Sequence, residues 1–343
     1  MKRHLNTLFV MTDGSYLVKD GQAVAVRVEK KTRLRVPLLN LDGIVCFGRV
    51  GCSPPLMAAC AESGVTISFM SVYGRFRAAV VGFSPGNVLL RRQQYRQADC
   101  PSASVAIARN MVAAKIANCR GVLLRAARES SNEADREALD RTVKVMARQM
   151  DDARQADALD KLRGTEGEAA NTYFGVFDRL IHSEDEDFRF RGRSRRPPLD
   201  RVNSLLSFLY SVLTHDARSA CEASGLDAAV GFLHRDRPGR PGLALDLIEE
   251  FRPLLADRLT LSLINRRQVS STGFTQTESG AVVMDEKTRK TVLATYQKRK
   301  QETIQHPFLG EKTSIGLLIH LQARLLARRL RGDLDAYPPL VWK

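Results

Sequence analysis

The feature that most constrains the fold is a change of hydrophobic period near residue 104. Upstream of it, short runs rich in β-branched residues alternate with turn residues, which is typical of strands. Downstream, apolar residues recur every three to four positions, as they do on one face of a helix. The first such stripe comprises Val105, Ala108, Val112, Ile116 and Leu123.

The sequence therefore predicts an α+β fold in which the two structural classes are separated along the chain. Residues 1–98 are expected to form a small β-rich, sandwich-like domain, and residues 104–331 a larger all-α catalytic domain. Residues 332–343 form a C-terminal tail. A length of 343 residues suits two domains that each bury a core.

Turn signals divide the N-terminal part into short elements. Asp13-Gly14 and Asp20-Gly21 are typical of β-hairpins, and the second predicts a hairpin between residues 16–18 and 23–26. Ser53, followed by two prolines, predicts the N-cap of one short helix.

The chain is strongly basic. Its 53 lysines and arginines exceed its 38 acidic residues, and the formal net charge of +15 favours binding to polyanions such as DNA or RNA. The sequence contains no apolar run long enough to cross a membrane, and its six cysteines lack metal-site spacing. We therefore expect a cytoplasmic protein with reduced thiols and no membrane association.

A charged stretch at residues 183–198 changes from acidic to basic along its length. The guanidinium groups of Arg193, Arg195 and Arg196 have the geometry to bind DNA phosphates. A solvated linker of mixed charge is the alternative, and the charge pattern alone leaves both interpretations open.

Glu166 is a candidate site residue because of the helix face on which it lies. Thr165 and Glu168 have capping-box spacing, which predicts that a helix starts at Glu166. Glu166 would then share a face with Ala169 and Tyr173, and a carboxylate on an apolar side requires a cation or a hydrogen-bond donor. The alternative is a carboxylate that only interacts favourably with the helix dipole.

Three more candidates lie further along the chain. His234 ends the apolar run 229–233, where a structural histidine is the alternative interpretation. Asp246 and Glu249 lie one helical turn apart, so their charges repel unless a cation compensates them. Two carboxylates and an imidazole suit a hard divalent cation, Mg²⁺ or Mn²⁺, if the segments converge.

Four strings of residues stand out, in this order along the chain: Gly164-Thr165-Glu166-Gly167, Arg196-Pro197-Pro198 followed by Val202-Asn203-Ser204, Gly231-Phe232-Leu233-His234, and Leu245 to Pro253. Together they resemble one family, the CRISPR-associated integrases of spacer acquisition (the Cas one family). The ending from Tyr337 to Lys343 is most similar to the subtype I-C branch.

The resemblance implies that Glu166, His234 and Glu249 bind a catalytic Mg²⁺ or Mn²⁺, with Asp246 as a nearby second acid. Many family members have aspartate at the position of Glu249, which leaves open whether Asp246 or Glu249 lies closer to the metal. The implied reaction is transesterification, in which the 3′-hydroxyl of a prespacer DNA attacks a phosphodiester of a CRISPR repeat. Water in place of the hydroxyl would give endonuclease activity.

The resemblance also implies partners. The N-terminal domain would pair with a second copy to form a homodimer, and two homodimers would flank a dimer of the Cas two protein. Asn203 and Tyr210 would position the DNA strand, although a structural role fits both equally well. Arg252 would hold the acidic side chains of the site in position. The tail would either dock onto the Cas two protein or remain a disordered end.

Two other functional classes compete with this interpretation. A non-catalytic nucleic-acid scaffold would bind DNA through the basic surface and would make no new bonds. An enzyme that processes CRISPR transcripts is disfavoured, because the chain lacks an evident sheet of stacking aromatics and offers carboxylates suited to a cation.

Overall fold

The computed structural model describes residues 6–72, 76–82 and 87–342. The strands are β1 Asn6–Val10, β2 Tyr16–Asp20, β3 Ala23–Val28, β4 Lys31–Pro37, β5 Leu41–Phe47, β6 Gly51–Cys52, β7 Thr66–Met70, β8 Phe76–Val80, β9 Phe274–Gln276, β10 Val282–Met284, β11 Thr303–Gln305 and β12 Lys312–Ser314. The helices are α1 Pro54–Glu62, α2 Val88–Asp99, α3 Pro101–Glu129, α4 Glu133–Gln155, α5 Leu159–Gly175, α6 Arg201–Ala223, α7 Gly242–Ile248, α8 Arg258–Asn265, α9 Glu286–Gln301 and α10 Ile315–Arg331.

Two four-stranded sheets form the N-terminal part, with strand orders β4-β3-β2-β6 and β1-β5-β7-β8. Leu17 and Val24 from the first sheet share one buried cluster with Ile44 and Ile67 from the second. Because a sheet buries one face by packing it on another layer, the two sheets enclose a common core. The expected β-rich, sandwich-like arrangement is confirmed for these strands.

Strand β5 places side chains on both faces of the second sheet. Ile44 belongs to the core between the two sheets, whereas the neighbouring Val45 and Phe47 belong to the core of the helical part. The rings of Phe47 and Phe208, on α6, are 5.8 Å apart. The second sheet therefore lies between the first sheet and the helices, and it fixes the two parts against each other.

The two Asp-Gly pairs have different structural roles. Asp20-Gly21 connects β2 to β3 as a hairpin, as predicted, and Gly21 takes the positive φ of 59° that this turn requires. The hairpin prediction for Asp13-Gly14 was wrong, because β1 pairs in parallel with β5. The turn at Asp13-Gly14 instead takes the chain from one sheet to the other.

The helical part contains elements that hydrophobic period did not predict. Helix α2 precedes residue 104, and its Leu90 is buried among residues of the C-terminal helices. Two short antiparallel pairs, β9 with β10 and β11 with β12, interrupt the helices. Strands of three residues are too short to show a hydrophobic period. The prediction of an all-α domain therefore holds for the helices of this part and fails for the two short hairpins. Within the described residues, no helix has the length and apolar character needed to span a membrane.

The C-terminal tail packs against the helical part. Tyr337 and Leu340 are fully buried. Glu250 accepts hydrogen bonds of 2.6 Å from the Tyr337 hydroxyl and from the Leu340 amide, and Asn118 donates one of 2.8 Å to the Leu340 carbonyl. Residues 333–342 are therefore ordered by contacts within their own chain, whereas Lys343 lies outside the described residues.

His215 is a buried histidine where α6 meets the second sheet. A cavity at this junction is lined by His215 together with Thr7 and Gly43 from the sheet side. The pKa of His215 is lowered to about 4, chiefly by burial; Asp216 opposes this shift, whereas Lys300 and Arg218 contribute to it. Asp216 is itself held by Lys300 at 2.7 Å.

We expect the His215 imidazole to make folding stability depend on pH. Its folded pKa lies below its unfolded value of 6.5, so its contribution is present above pH 6.5 and is lost as pH falls towards 4. Between pH 7 and pH 5 the wild type should lose about 2 kcal/mol more unfolding free energy than His215→Asn. Urea denaturation at both pH values measures this, with the exposed His182→Asn as control. Equal losses in wild type and His215→Asn would contradict the assignment.

Candidate functional site

Glu166 lies in the middle of α5 and not at its start. The helix begins at Leu159, and the Thr165 hydroxyl donates to the Lys161 carbonyl at 3.2 Å, so the predicted capping box was wrong. The face assignment nevertheless holds, because Ala169 and Tyr173 on the same side are buried. The Glu166 side chain is 24% exposed, which places its carboxylate at the edge of the core.

Lys115, on α3, joins the two glutamates predicted to bind metal. Its ammonium group contacts Glu166 and lies 2.6 Å from Glu249 Oε2. Burial alone would lower the pKa of Lys115, but Glu249 and Glu166 outweigh this effect and raise it. Sequence reasoning did not assign Lys115 to the site, although a lysine between the apolar residues Val112 and Cys119 on one buried helix face was a usable signal.

Glu249 is an almost fully buried carboxylate, 2% exposed. Burial would raise its pKa, but the charges of Arg252, Lys115 and His234 outweigh burial and hold the pKa at about 2. Arg252 lies 2.9 Å from Oε1. The other oxygen, Oε2, is buried and makes no hydrogen bond of normal geometry, although Lys115 lies close to it. Glu249 is therefore an ionised carboxylate whose Oε2 faces one cation already, the Lys115 ammonium.

Asp246 holds His234 and is fully buried. Its carboxylate accepts hydrogen bonds from the backbone amides of Phe232, Leu233 and His234, at 2.6, 3.0 and 3.0 Å. It also contacts His234 Nδ1 at 2.6 Å. A Cβ at Gly231 would lie 2.6 Å from Asp246 Oδ2, so only glycine fits there. The oxygens of Asp246 are committed to these partners, which favours Glu249 over Asp246 as the closer metal ligand.

Two of the three residues predicted to bind metal, Glu166 and Glu249, meet at Lys115, and His234 lies nearby. Glu166 and Glu249 share its ammonium, and His234 is near enough for its charge to lower the Glu249 pKa. Across the described residues, no three His, Cys, Asp or Glu side chains already surround a common point as a metal site would require. In the described conformation, the lysine supplies the positive charge between the carboxylates.

The residues fit a divalent cation by their chemistry. Two carboxylates offer hard oxygen ligands, one of which is the buried Oε2 of Glu249. His234 uses Nδ1 for Asp246, which directs Nε2 to a second partner such as a metal. An imidazole beside two carboxylates suits Mn²⁺ as well as Mg²⁺.

Four of the six residues proposed to bind DNA form a network inside the protein. Tyr210 lies under both Arg193 and Arg252, whose guanidinium carbons are 5.2 and 4.8 Å from the ring centroid. Its hydroxyl donates to Asp257 at 2.7 Å. Asn203 is fully buried and accepts from Arg193 at 2.6 Å, which favours the structural role for this asparagine.

The other two, Arg195 and Arg196, are exposed. Arg195 lines a small cleft that is open to solvent and adjoins the site through Lys115 and Arg252. Ala170 and Phe174 from α5 supply part of its apolar wall. This cleft, the basic approach to the site, reaches Lys115 and Arg252, the side chains that pair with the carboxylates.

The chain is similar to known proteins along almost its whole length. The family model "CRISPR associated protein Cas1" matches residues 8–298. The CRISPR-associated endonuclease Cas1 1 of Chlorobaculum tepidum is 53% identical over 343 residues, covering 100% of both chains. The fold is similar to that of a casposase bound to integration product, with a TM-score of 0.84, 20% identity, and 99% of this chain and 95% of that chain covered. It is also similar to a chain of a Cas6-RT-Cas1–Cas2 complex, with a TM-score of 0.83, 23% identity, and 99% of this chain and 36% of that one covered. The chain therefore belongs to the Cas1 family of CRISPR-associated proteins.

Proposed function

We propose that this Cas1 protein is a metal-dependent DNA endonuclease and integrase that joins the 3′-hydroxyl ends of prespacer DNA to a CRISPR repeat by transesterification. The observation that carries the proposal is the cluster of Glu166 and Glu249 around one buried ammonium, beside a histidine oriented by Asp246. The endonuclease relative and the fold shared with a casposase bound to integration product support it.

Each residue has a defined task in this proposal. A bound Mg²⁺ or Mn²⁺ would supply Lewis-acid stabilisation of the charge that develops on the phosphate oxygens. Glu166, Glu249 and His234 would hold that cation. Arg252 keeps Glu249 ionised by lying 2.9 Å from it, and Asp246 fixes the orientation of the His234 ring.

DNA binding is assigned to the basic approach to the site. Arg195 and Arg196 are exposed and suited to phosphate oxygens. The guanidinium groups of Arg193 and Arg252 lie against the Tyr210 ring. They would favour DNA binding through the positive potential they create near the carboxylates, in addition to any direct contact with phosphates. Asn203 would act by holding Arg193, and the Tyr210 ring by holding both arginines.

The proposed assembly follows the resemblance to the family. The β sandwich would pair with a second copy to form a homodimer, and two homodimers would flank a Cas2 dimer in the cytoplasm. A similar fold within a Cas6-RT-Cas1–Cas2 complex supports a Cas2 partner. We also assign the chain to the subtype I-C branch, on the ending from Tyr337 to Lys343.

Strand joining tests this function. A DNA with free 3′-hydroxyl ends is incubated with Cas2 and a supercoiled plasmid that carries the repeat, in Mn²⁺ or in EDTA. We expect joined product in Mn²⁺ and none in EDTA. DNA binding that is equal in both, without joining or cleavage in either, would instead indicate the non-catalytic scaffold, whose electrostatic basis is the net charge of +15.

Replacing Lys115 with methionine should have opposite effects with and without metal. The carboxylates of Glu166 and Glu249 lose their shared counter-charge, so stability in EDTA should fall by about 1–2 kcal/mol, since Arg252 still pairs with Glu249. Mn²⁺ should then raise Tm more than it does in the wild type, because the cation no longer competes with the ammonium.

Scanning fluorimetry in EDTA and in Mn²⁺ measures both effects. Lys144→Met on α4 is the matched control, since Lys144 is exposed. A smaller Mn²⁺-induced rise in Tm in Lys115→Met than in the wild type would contradict a competition between ammonium and metal.

A further inference from the structure

His234 is carried by a segment that has no regular secondary structure. Residues 224–241 connect α6 to α7 without a helix or strand. Backbone amides and carbonyls in such a segment have no ladder of their own, so other groups must satisfy them. Asp246 binds the amides at the end of the run that leads to His234. The carbonyls of Ala228 and Ala229 accept from the backbone amides of Leu243 and Gly242 at the start of α7, and side chains hold three other carbonyls.

Gln94, on α2, holds the start of this segment. Its amide nitrogen donates to the carbonyls of Asp227 and Val230, at 2.8 Å each, and its amide oxygen accepts from the Asp227 amide at 2.9 Å. The Gln94 side chain is 0% exposed. One buried side chain thus fixes the segment at two carbonyls and one amide, and removing it would leave all three unpaired.

Arg163, on α5, holds the residue before His234. Its Nε donates to the Leu233 carbonyl at 2.7 Å, and its Nη1 lies 2.8 Å from the Asp160 carboxylate. Asp160 also binds Arg235, the residue after His234, at 2.8 Å. Arg163 precedes Glu166 by three residues on one helix, so both neighbours of the histidine are tied to the helix that carries Glu166.

We propose that Arg163 and Gln94 are positioning residues of the metal site, which hold the segment 226–234 so that the His234 ring stays beside Glu166 and Glu249. The inference rests on the proposed metal-binding function and extends it to two residues that are not among its metal ligands. Positioning of this kind matters because Asp246 holds the ring Nδ1 and three amides, whereas the carbonyls of Val230 and Leu233 depend on Gln94 and Arg163. Through Gln94, helix α2 helps to hold the segment that carries His234.

The test measures Mn²⁺ affinity by electron paramagnetic resonance and the His234 ring by NMR, in the full chain. Arg163→Met should bind Mn²⁺ roughly 10–100-fold more weakly, and the ring nitrogen resonances of His234 should shift or broaden. Arg163→Lys, which restores a donor for the Leu233 carbonyl, should recover most of the affinity. Because the Arg163 side chain is 28% exposed, its replacement leaves the core intact.

Gln94→Glu gives an independent arm, since it keeps the shape of the side chain and removes the donor to both carbonyls. It should weaken Mn²⁺ binding and move the His234 resonances in the same way. Gln97→Leu, on the same helix, and the exposed Arg92→Met are controls expected to match the wild type.

Mn²⁺ affinities and His234 resonances that are unchanged in both Arg163→Met and Gln94→Glu would overturn the inference while leaving the proposed function intact. A wild type that binds no Mn²⁺ would instead remove the proposed function. In that case, unchanged His234 resonances in the variants would refute the positioning role, whereas shifted ones would support it.

Discussion

Replacing Glu166 with glutamine is expected to slow DNA strand joining and cleavage by roughly 10³-fold or more. The substitution keeps the size of the side chain and removes the charge that the carboxylate shares with Glu249 around Lys115. A neutral amide binds a hard divalent cation less strongly than a carboxylate does. The loss should appear in single-turnover joining with a 3′-hydroxyl DNA in Mn²⁺.

The matched control is Glu168→Gln on the same helix, because Glu168 is exposed. It should retain wild-type joining. DNA affinity, measured by fluorescence anisotropy in EDTA, should remain within a few-fold of wild type in both variants, since the basic approach is unchanged. Joining at the wild-type rate by Glu166→Gln would show that the metal ligands are assigned incorrectly.

Replacing Asp246 with asparagine is expected to weaken Mn²⁺ binding by roughly 10–100-fold and to reduce joining to a similar extent. Asp246 accepts hydrogen bonds from three backbone amides and contacts the His234 ring, so each of its two carboxylate oxygens accepts at least one hydrogen bond. The amide nitrogen of asparagine is a donor and must face one of these donors. Stability should therefore fall as well, by about 1–3 kcal/mol.

Asp236→Asn is the control, because Asp236 lies in the same connection and is exposed. Isothermal titration with Mn²⁺ gives the affinity, and urea denaturation gives the stability. If Asp246→Asn bound Mn²⁺ with wild-type affinity, the orientation of His234 by this carboxylate would have no part in metal binding.

The broad architecture could be predicted from hydrophobic period because that period follows burial directly. Helix α3 carries its apolar stripe over many turns, and the Asp20-Gly21 turn is specific to a two-residue hairpin. The parallel pairing of β1 with β5 cannot be predicted from turn residues, because the two strands are far apart in the sequence. Asp13-Gly14 was therefore misinterpreted as a hairpin.

The site was predicted as a set of residue types, and its arrangement was not. Resemblance to a family identified Glu166, His234 and Glu249, whereas the division of roles between Asp246 and Glu249 depends on three backbone amides that only the fold brings to Asp246. Lys115 was missed because a lysine in a helix is ordinarily exposed, and its burial follows from the two carboxylates that meet it. Spacing along the chain carries no information on such long-range contacts.

The central claim, that Glu166, His234 and Glu249 hold a divalent cation, is tested most directly by anomalous diffraction from crystals soaked in Mn²⁺. We predict an anomalous peak bounded by the carboxylates of Glu166 and Glu249 and by His234 Nε2, with the Lys115 ammonium moved away from Glu249, from which it lies 2.6 Å in the described conformation. Mn²⁺ peaks only elsewhere, with Lys115 still between the two carboxylates at saturating metal, would contradict it.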